Sequence, residues 1–278
     1  MEDLIVPYRH LSENVNPDPE HANYAYDMVR SLREEINGVE VFEGRLCTVL
    51  SVGKNLFFER TSIKVAIKVM SSHRIRQGSK EVAAMQHLQR HIAPDDKNQE
   101  TSIDELRDRV EQGMLSHRVM TSIDVLIDGN STSHGDAQLY IVMPFCEDLW
   151  SFLRPCTNKF SEPEARHWFK QILKAVETLQ EAEICHRDIS LENIVVRDNA
   201  IAVVIDFGVC LKIPYISDAN GNRQRCLIKP DRACGKVSWR SCLLVQQRFF
   251  AIDLRKVGFS DTLSFLFAVV LHGSRNIR

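Results

Sequence analysis

Residues 185–208 read CHRDISLENIVVRDNAIAVVIDFG, and much of the chain's organisation can be worked out from this stretch. Two apolar runs flank Arg197-Asp198-Asn199-Ala200, a pattern that predicts a β-hairpin with a turn at its tip. Such a hairpin places Asn193 and Asp206 side by side at its open end. Two oxygen ligands suit Mg²⁺, which keeps water and phosphate oxygens in its remaining positions. Asp188, five residues before Asn193, is near enough to orient and deprotonate a hydroxyl nucleophile.

Elsewhere in the chain, strand patterns come before helix patterns. Short runs rich in β-branched residues predict strands at 39–42, 47–52, 63–70, 119–127 and 138–143. Apolar residues at helical spacing predict a helix over 80–91. A cap, a first-turn proline and a capping-box glutamate at 161–164 open a further helix over 165–181. Strands followed by helices predict an α+β protein with two unlike lobes.

Two segments do not follow this order. From Pro19 a helix is predicted, because proline suits a first helical turn and Asn37-Gly38 is a stop signal. Residues 92–115 are charged with few large apolar groups, and they predict a solvated insertion with one surface helix over 103–111. We therefore divide the chain into three parts, which are an N-terminal segment with a helix (1–38), a small lobe that includes the insertion (39–143) and a large lobe (144–278).

Composition places the chain among ordinary globular proteins. Its 278 residues suffice for one large domain or two lobes sharing a cleft, and 44% are hydrophobic. The formal net charge of -2 gives no electrostatic reason to expect nucleic acid or an anionic membrane as a partner. Residues 1–14 lack the apolar core of a signal peptide, and the longest apolar run, 265–271, is too short to span a bilayer.

The eight cysteines are scattered and form no Cys-x-x-Cys pair. This spacing argues against a zinc site or a thioredoxin-like motif. A chain of this size needs no disulfide to hold a core. We therefore expect reduced thiols and a cytoplasmic location, with the nucleus as the other compartment that fits.

Three motifs in their order resemble those of a eukaryotic-type protein kinase domain of the Ser/Thr class. Residues 186–193 resemble the catalytic loop, Asp206-Phe207-Gly208 the metal loop, and Val65-Ala66-Ile67-Lys68 the lysine strand of the small lobe. The spacing is similar to that of the family from about residue 39 to residue 273. The resemblance implies a small antiparallel β lobe with one main helix, a mainly helical large lobe, and ATP with Mg²⁺ as cofactors.

Catalytic roles follow from the resemblance. Asp188 would be the base, and Asn193 with Asp206 would hold the magnesium ion. Lys68 would hold the α- and β-phosphates, and Glu81 would fix Lys68 through an ion pair. The resemblance places the other nucleotide contacts at Gly44, Val49, Ala66, Met143, Pro144, Cys146, Asp148, Val195 and Asp206.

Each nucleotide contact has an implied role. Val49, Ala66 and Val195 would sandwich the base, beside Met143 as the gatekeeper. Pro144 would offer only a carbonyl, which proline permits, while Cys146 would offer an N–H and a carbonyl. Asp148 would bond the ribose.

Two motifs depart from the family pattern. Residues 42–49 line up with the glycine-rich loop, but only Gly44 remains of its three glycines. Ser190 stands where a lysine is usual, and Lys236 stands where the substrate loop usually has threonine. We interpret this as a reciprocal exchange in which Lys236 supplies the ammonium group and Ser190 the hydroxyl.

The end of the chain departs further. Residues 241–243 read Ser-Cys-Leu in place of Ala-Pro-Glu, and the final helices of the large lobe are not found after the helix predicted over 253–273. Leaving four large apolar side chains of that helix exposed would forgo about 6–12 kcal/mol, close to the stability of a whole domain. We expect an incomplete gene product, a partner that covers residues 259–273, or a loosely packed large lobe, and we favour the first.

Three functions fit these observations. The first is MgATP-dependent phosphoryl transfer to protein Ser or Thr hydroxyls. The second is a catalytically impaired, pseudokinase-like binding module or a truncated product, which the degenerate glycine motif favours. The third is a small-molecule phosphotransferase, whose relatives usually lack the joint His-Arg-Asp and Asp-Phe-Gly pattern.

Overall fold

The computed structural model describes residues 4–7, 24–52, 55–93, 102–128, 137–149, 162–217 and 223–225. The chain forms two compact units, the first made of 1–116 with 120–146 and the second of 117–119 with 147–278. An antiparallel sheet with helices confirms the predicted α+β class. The predictions for Lys236, 241–243 and 253–273 lie outside the described residues.

One antiparallel sheet dominates the first unit, with strand order β1-β2-β3-β4-β6-β5. Its strands are β1 (Leu4–Pro7), β2 (Tyr24–Ile36), β3 (Val39–Val52), β4 (Asn55–Met70), β5 (Asp124–Asp128) and β6 (Gln138–Pro144). One face of the sheet buries Tyr26, Ile67 and Val142 in a common apolar cluster. The opposite face presents Ala66 and Lys68, since neighbouring residues of a strand alternate between faces.

The helix predicted from Pro19 is wrong over the described residues, because Tyr24–Ile36 form strand β2. Asn37 and Gly38 have φ values of 53° and 77°, the left-handed pair that a two-residue hairpin turn requires. The signal that we interpreted as a helix stop is thus the turn between β2 and β3. The first unit consequently includes β2, ahead of the lobe boundary predicted at residue 39.

The solvated insertion predicted for 92–115 is also wrong where the structure describes it. Helix α1 (Ile75–Ile92) contains the helix predicted over 80–91, and α2 (Ile103–His117) extends beyond the surface helix predicted over 103–111. Val110 and Met114 are buried, and Ile103 and Leu106 pack against the apolar cluster of the sheet. These four residues recur at helical spacing among charged neighbours, so the high charge concealed an amphipathic helix.

The second unit is built around the predicted hairpin, which is confirmed. Strand β9 (Ile194–Arg197) pairs with β10 (Ile201–Val204), and β9 also pairs with β7 (Glu147–Asp148). Helix α3 (Glu162–Glu181) confirms the prediction for 165–181, and Trp168 and Ile172 on it pack against the hairpin. The remaining strands are β8 (Ile184–Cys185), β11 (Leu211–Lys212), β12 (Tyr215–Ser217) and β13 (Arg223–Arg225).

Across the described residues, no helix has both the length and the apolar character needed to cross a membrane.

Replacing the fully buried Met114 by alanine is expected to lower the free energy of unfolding by about 2–5 kcal/mol, because the truncation leaves a cavity. Gln112 is exposed on the same helix, and Gln112→Ala is the matched control with an expected change below about 0.5 kcal/mol. Denaturant unfolding of both variants measures the difference. Equally small effects would show that α2 does not contribute to the core.

Candidate functional site

The loop between β8 and β9 brings Asp188 and Asn193 together. Asn193 Nδ2 donates hydrogen bonds to the carbonyl oxygen of Asp188 at 2.8 Å and to its Oδ2 at 3.1 Å. Because both partners are acceptors, the nitrogen of the amide must face Asp188. The amide oxygen of Asn193 therefore faces away from Asp188 and is available to a ligand.

Asp206 follows the second strand of the hairpin, where the sequence predicts it. Ile194 pairs with Val204, and the next residues are joined by a hydrogen bond from Ile205 N to Asn193 O at 3.0 Å. Asp206 has a φ of 67°, and its Oδ1 accepts a hydrogen bond from Gly208 N at 3.3 Å. A non-glycine residue in this backbone region is uncommon and is found more often at functional sites.

The donor set at the open end of the hairpin fits a magnesium ion. It consists of the Asn193 amide oxygen and the Asp206 carboxylate, both hard oxygen donors. The hairpin register places these two residues at the same end of β9 and β10.

His186 links the loop that follows β8 to the backbone that follows β10. Its Nε2 donates to Ile205 O at 3.0 Å, and its Nδ1 accepts from Asp188 N at 3.3 Å. Its ring lies edge-to-face with Phe207, with 5.2 Å between ring centroids. Burial lowers the pKa of His186, and the Ile205 hydrogen bond and the charges of Asp206 and Asp188 oppose that shift only in part. His186 is therefore neutral near pH 7.

Ser190 lies in the same loop and is buried, with 6% of its surface exposed. Its carbonyl oxygen accepts a hydrogen bond from Asn193 N at 3.0 Å. Its hydroxyl has no hydrogen-bond partner among the residues that the structure describes. Lys236, its predicted exchange partner, lies outside those residues, and the exchange stays a prediction.

In the first unit, the predicted ion pair between Lys68 and Glu81 is present. Lys68 Nζ on β4 lies 2.9 Å from Oε1 and 2.7 Å from Oε2 of Glu81 on α1. The Glu81 side chain is 1% exposed and the Lys68 side chain 13%. A buried pair with short bonds to both oxygens fixes the ammonium group on the face of the sheet that presents Ala66.

The loop expected around Gly44 is wrong, because β3 runs through residues 42–49 without interruption. Gly44 pairs with Met28 on one side and Val65 on the other. A Cβ at Gly44 would lie 2.6 Å from Cδ1 of Ile67 and 3.0 Å from the carbonyl oxygen of Asp27, so a larger residue here would require these neighbours to shift. Because a central strand gives its N–H groups to both neighbouring strands, those of β3 are already engaged.

Val49 and Ala66, predicted to sandwich the base, are not brought together. Val49 pairs with Phe58, eight residues before Ala66 on β4, which corresponds to about 26 Å along a strand. Val52 pairs with Asn55, and after a register shift between Cys47 and Arg45 the pairing puts Glu43 opposite Ala66. The sequence predicts separate strands at 39–42 and 47–52, whereas one strand, β3, covers both segments.

Glu43 is therefore an unpredicted neighbour of the expected base position. It is buried, and its carboxylate contacts Arg30 Nη2 at 2.6 Å and Lys64 Nζ at 2.9 Å. Burial alone would raise the pKa of Glu43, but hydrogen bonds from Lys64 and Arg30 outweigh it and lower the pKa. No sequence signal marked Glu43, because the adjacent Val41 and Phe42 interrupt the alternation of charged and apolar residues along 39–46.

The other predicted nucleotide contacts fall into one group in each unit. In the first unit, Met143 is directly opposite Ala66, and Pro144 is opposite Val65 at the end of β6. Cys146 follows, with its Sγ 3.9 Å from Sδ of Met114.

In the second unit, Asp148 on β7 is directly opposite Val195 on β9. Their predicted contacts with a base and a ribose stay predictions.

A family model described as "Protein kinase domain" matches residues 44–242, well over half of the chain. The chain is similar to "Probable cyclin-dependent kinase 9" of Schizosaccharomyces pombe, with 30% identity over 148 residues, 50% of this chain and 25% of that protein. It is similar to "Serine/threonine-protein kinase SAPK3" of Oryza sativa subsp. indica, with 32% identity over 41% of this chain and 31% of that protein. It is also similar to "Serine/threonine-protein kinase Nek4" of Mus musculus, with 38% identity over 27% of this chain and 10% of that protein. The matched stretch thus spans less than a third of each of these relatives.

Acidification is expected to destabilise the protein partly through His186. Its pKa in the folded state is below the value of about 6.5 expected after unfolding, so the unfolded chain takes up the proton first. Stability is therefore lost as the pH falls below about 6.5. In addition, a proton on Nδ1 would face the N–H of Asp188 and remove that hydrogen bond.

The measurement is the melting temperature between about pH 7.5 and about pH 5.5. His186→Phe keeps an aromatic ring beside Phe207 but cannot titrate, so its melting temperature should fall less steeply over this range. Equal slopes for the two proteins would show that His186 carries no pH dependence.

Proposed function

This chain belongs to the protein kinase domain family, and we propose that it catalyses MgATP-dependent phosphoryl transfer to Ser or Thr hydroxyls of a protein. The observation that carries the proposal is the hydrogen bonding of Asn193 to Asp188 at the end of the hairpin where Asp206 also lies. The names of the relatives from rice and mouse favour Ser and Thr as acceptors. Because each match covers only a part of its relative, the activity of the whole protein is itself a proposal.

In the proposed reaction, Asp188 orients the substrate hydroxyl and accepts its proton. Oδ2 of Asp188 is held by Asn193, which leaves Oδ1 to receive that proton. Lys68, fixed by Glu81, binds the nucleotide phosphates. Asn193 and Asp206 would hold magnesium, which compensates charge on the phosphates when bound.

For the nucleotide, we propose contacts from the residues that the sequence assigned, with two changes. Val49 is left out, because its register is far from Ala66. Gly44 lies where strand β3 packs closely against Ile67, and we do not propose that its N–H binds phosphate. The proposed base and ribose contacts are Ala66, Met143, Pro144, Cys146, Asp148 and Val195.

A second candidate, a pseudokinase-like module that binds without transferring phosphate, is favoured by two features of strand β3. Strand β3 offers no glycine-rich loop, and the buried carboxylate of Glu43, paired with Arg30 and Lys64, lies opposite Ala66. Both features weaken nucleotide binding relative to a site with free N–H groups. Nucleotide binding in the absence of any phosphate transfer would favour this candidate.

We propose a cytoplasmic location, with reduced thiols, and a protein substrate of unknown identity. Four described cysteines, Cys47, Cys146, Cys185 and Cys210, are free thiols, which agrees with a reducing compartment. A partner that covers residues 259–273 is proposed from the apolar character of that segment. The near-neutral charge continues to argue against nucleic acid and anionic membranes as partners.

Asp188→Asn is expected to lower the rate of phosphate transfer to a generic protein substrate by about 10²–10⁴-fold, because the amide cannot accept the proton. Binding of MgATP, followed as a thermal shift, should change little. Asp198→Asn is the matched control, since Asp198 is exposed at the tip of the same hairpin and should leave the rate unchanged. An unchanged rate in Asp188→Asn would remove Asp188 from the base role.

The proposed exchange of Ser190 and Lys236 makes a separate prediction. Lys236→Ala should lower phosphate transfer by about 10²-fold, the effect of removing one group that stabilises developing charge. Lys236→Arg keeps the positive charge and should retain more activity. Phosphate incorporation by the three proteins is the measurement, and full activity in Lys236→Ala would contradict the exchange.

A further inference from the structure

The turn between β2 and β3 is held by the segment that joins β4 to α1. Gly38 is buried, and its carbonyl oxygen accepts hydrogen bonds from Ser71 N at 2.9 Å and from Ser71 Oγ at 3.1 Å. The carbonyl oxygen of Asn37 accepts from Arg74 Nε at 2.8 Å and from His73 Nε2 at 3.3 Å. Donors from one short segment thus converge on two successive carbonyls. We call these contacts of 71–74 with the turn the turn latch.

The turn latch begins where the strands stop pairing. Val39 pairs with Met70, and the segment 71–74 follows directly. Hydrogen bonds from this segment therefore continue the link between the turn and the chain that enters α1. In the sequence, the segment lies between Lys68 on β4 and Glu81 on α1, the two partners of the buried ion pair.

Three contacts share one side of α1. Arg74, Gly78 and Glu81 are four and three residues apart, which places them on the same side of a helix. Arg74 contacts the turn, Gly78 packs against the sheet, and Glu81 forms the ion pair. A Cβ at Gly78 would clash with Cδ2 of Leu139 and lie 2.7 Å from Sδ of Met70, so the helix backbone closely approaches the sheet there.

A helix that is held closely at one point can pivot about it. With a rise of about 1.5 Å per residue, Arg74 lies about 6 Å from Gly78 along the helix axis, and Glu81 about 4.5 Å in the other direction. Without the turn latch, the contact at Gly78 would act as a pivot, and Glu81 would move in the direction opposite to Arg74. The latch and the ion pair together fix the orientation of the helix.

We propose that Ser71 and Arg74 are positioning residues, which orient α1 through the turn latch and so keep Glu81 on Lys68. The proposal rests on the proposed function for its consequence in catalysis, because Lys68 binds the nucleotide phosphates there. Both residues act through the ion pair. The turn between β2 and β3 thereby contributes to phosphate binding through α1.

The test measures how fast Lys68 is acetylated by acetic anhydride in the protein without nucleotide, followed by mass spectrometry of its peptides. The Lys68 side chain is 13% exposed and held by Glu81, and an ammonium group must lose a proton before it reacts. Arg74→Ala removes a hydrogen bond from a charged donor, so we expect about tenfold faster acetylation. Ser71→Ala keeps the backbone donor and should give a smaller increase, about threefold. Arg74→Lys keeps the charge and a donor and should restore much of the wild-type rate.

Two controls separate the turn latch from a general loss of structure. Arg76→Ala removes an exposed arginine from the same end of α1 and should leave the rate at Lys68 unchanged. Lys64 lies on the same strand and is paired with Glu43, so a loosened fold would raise its acetylation as well. An unchanged rate at Lys68 in Arg74→Ala, or an equal rise at Lys64, would overturn the proposal.

The kinetic consequence is measured separately. In an active enzyme, kcat/KM for MgATP should fall about tenfold in Arg74→Ala and recover in Arg74→Lys. An unchanged kcat/KM would overturn the positioning role even where Lys68 reacts faster. A wild-type chain without phosphate transfer would overturn the proposed function, whereas acetylation of Lys68 would still decide whether the turn latch holds the ion pair.

Discussion

The pairing of Ile194 with Val204 is the contact on which the proposed chemistry depends. It places Asn193 beside Ile205, so that one backbone hydrogen bond closes the open end of the hairpin. The side chain of Asn193 then holds Asp188, and the backbone continues directly into Asp206. A slip of one residue in this register would turn every side chain of one strand to the other face. The proposed base and the proposed metal ligands are therefore positioned by strand pairing rather than by the loops alone.

His186 strengthens this arrangement because it is neutral. A neutral ring has one donor and one acceptor, and both are used, toward Ile205 and toward Asp188. Two nearby carboxylates would favour a charged ring, but burial outweighs them and lowers the pKa. The first unit uses the opposite solution, in which Lys68 and Glu81 keep their charges buried by pairing. The neutral ring of His186 has one donor and one acceptor for its two backbone partners, whereas Lys68 and Glu81 each have a charged partner.

Local signals in the sequence were sufficient for part of this structure. The hairpin at 194–204 could be predicted because both of its strands and its turn lie within one short stretch, and the Lys68–Glu81 pair followed from the family spacing. Asn37-Gly38 was misinterpreted because the same dipeptide suits a helix end and a hairpin turn. The register of Val49 could not be predicted, because it depends on how far β3 and β4 continue beyond Ala66. Register over long strands is set by tertiary pairing and not by residue type.

The pairing of strand β3 with strands on both sides affects how a nucleotide could be bound. In the segment that aligns with the glycine-rich loop, residues 42–48 pair with β2 and, apart from Leu46 at a register shift, also with β4, so most of their N–H groups are engaged by neighbouring strands. Phosphate oxygens would then depend on side chains such as Lys68, and on magnesium, for their neutralisation. Side-chain donors are fewer and less rigid than a series of backbone N–H groups, so affinity would be lower for the same nucleotide.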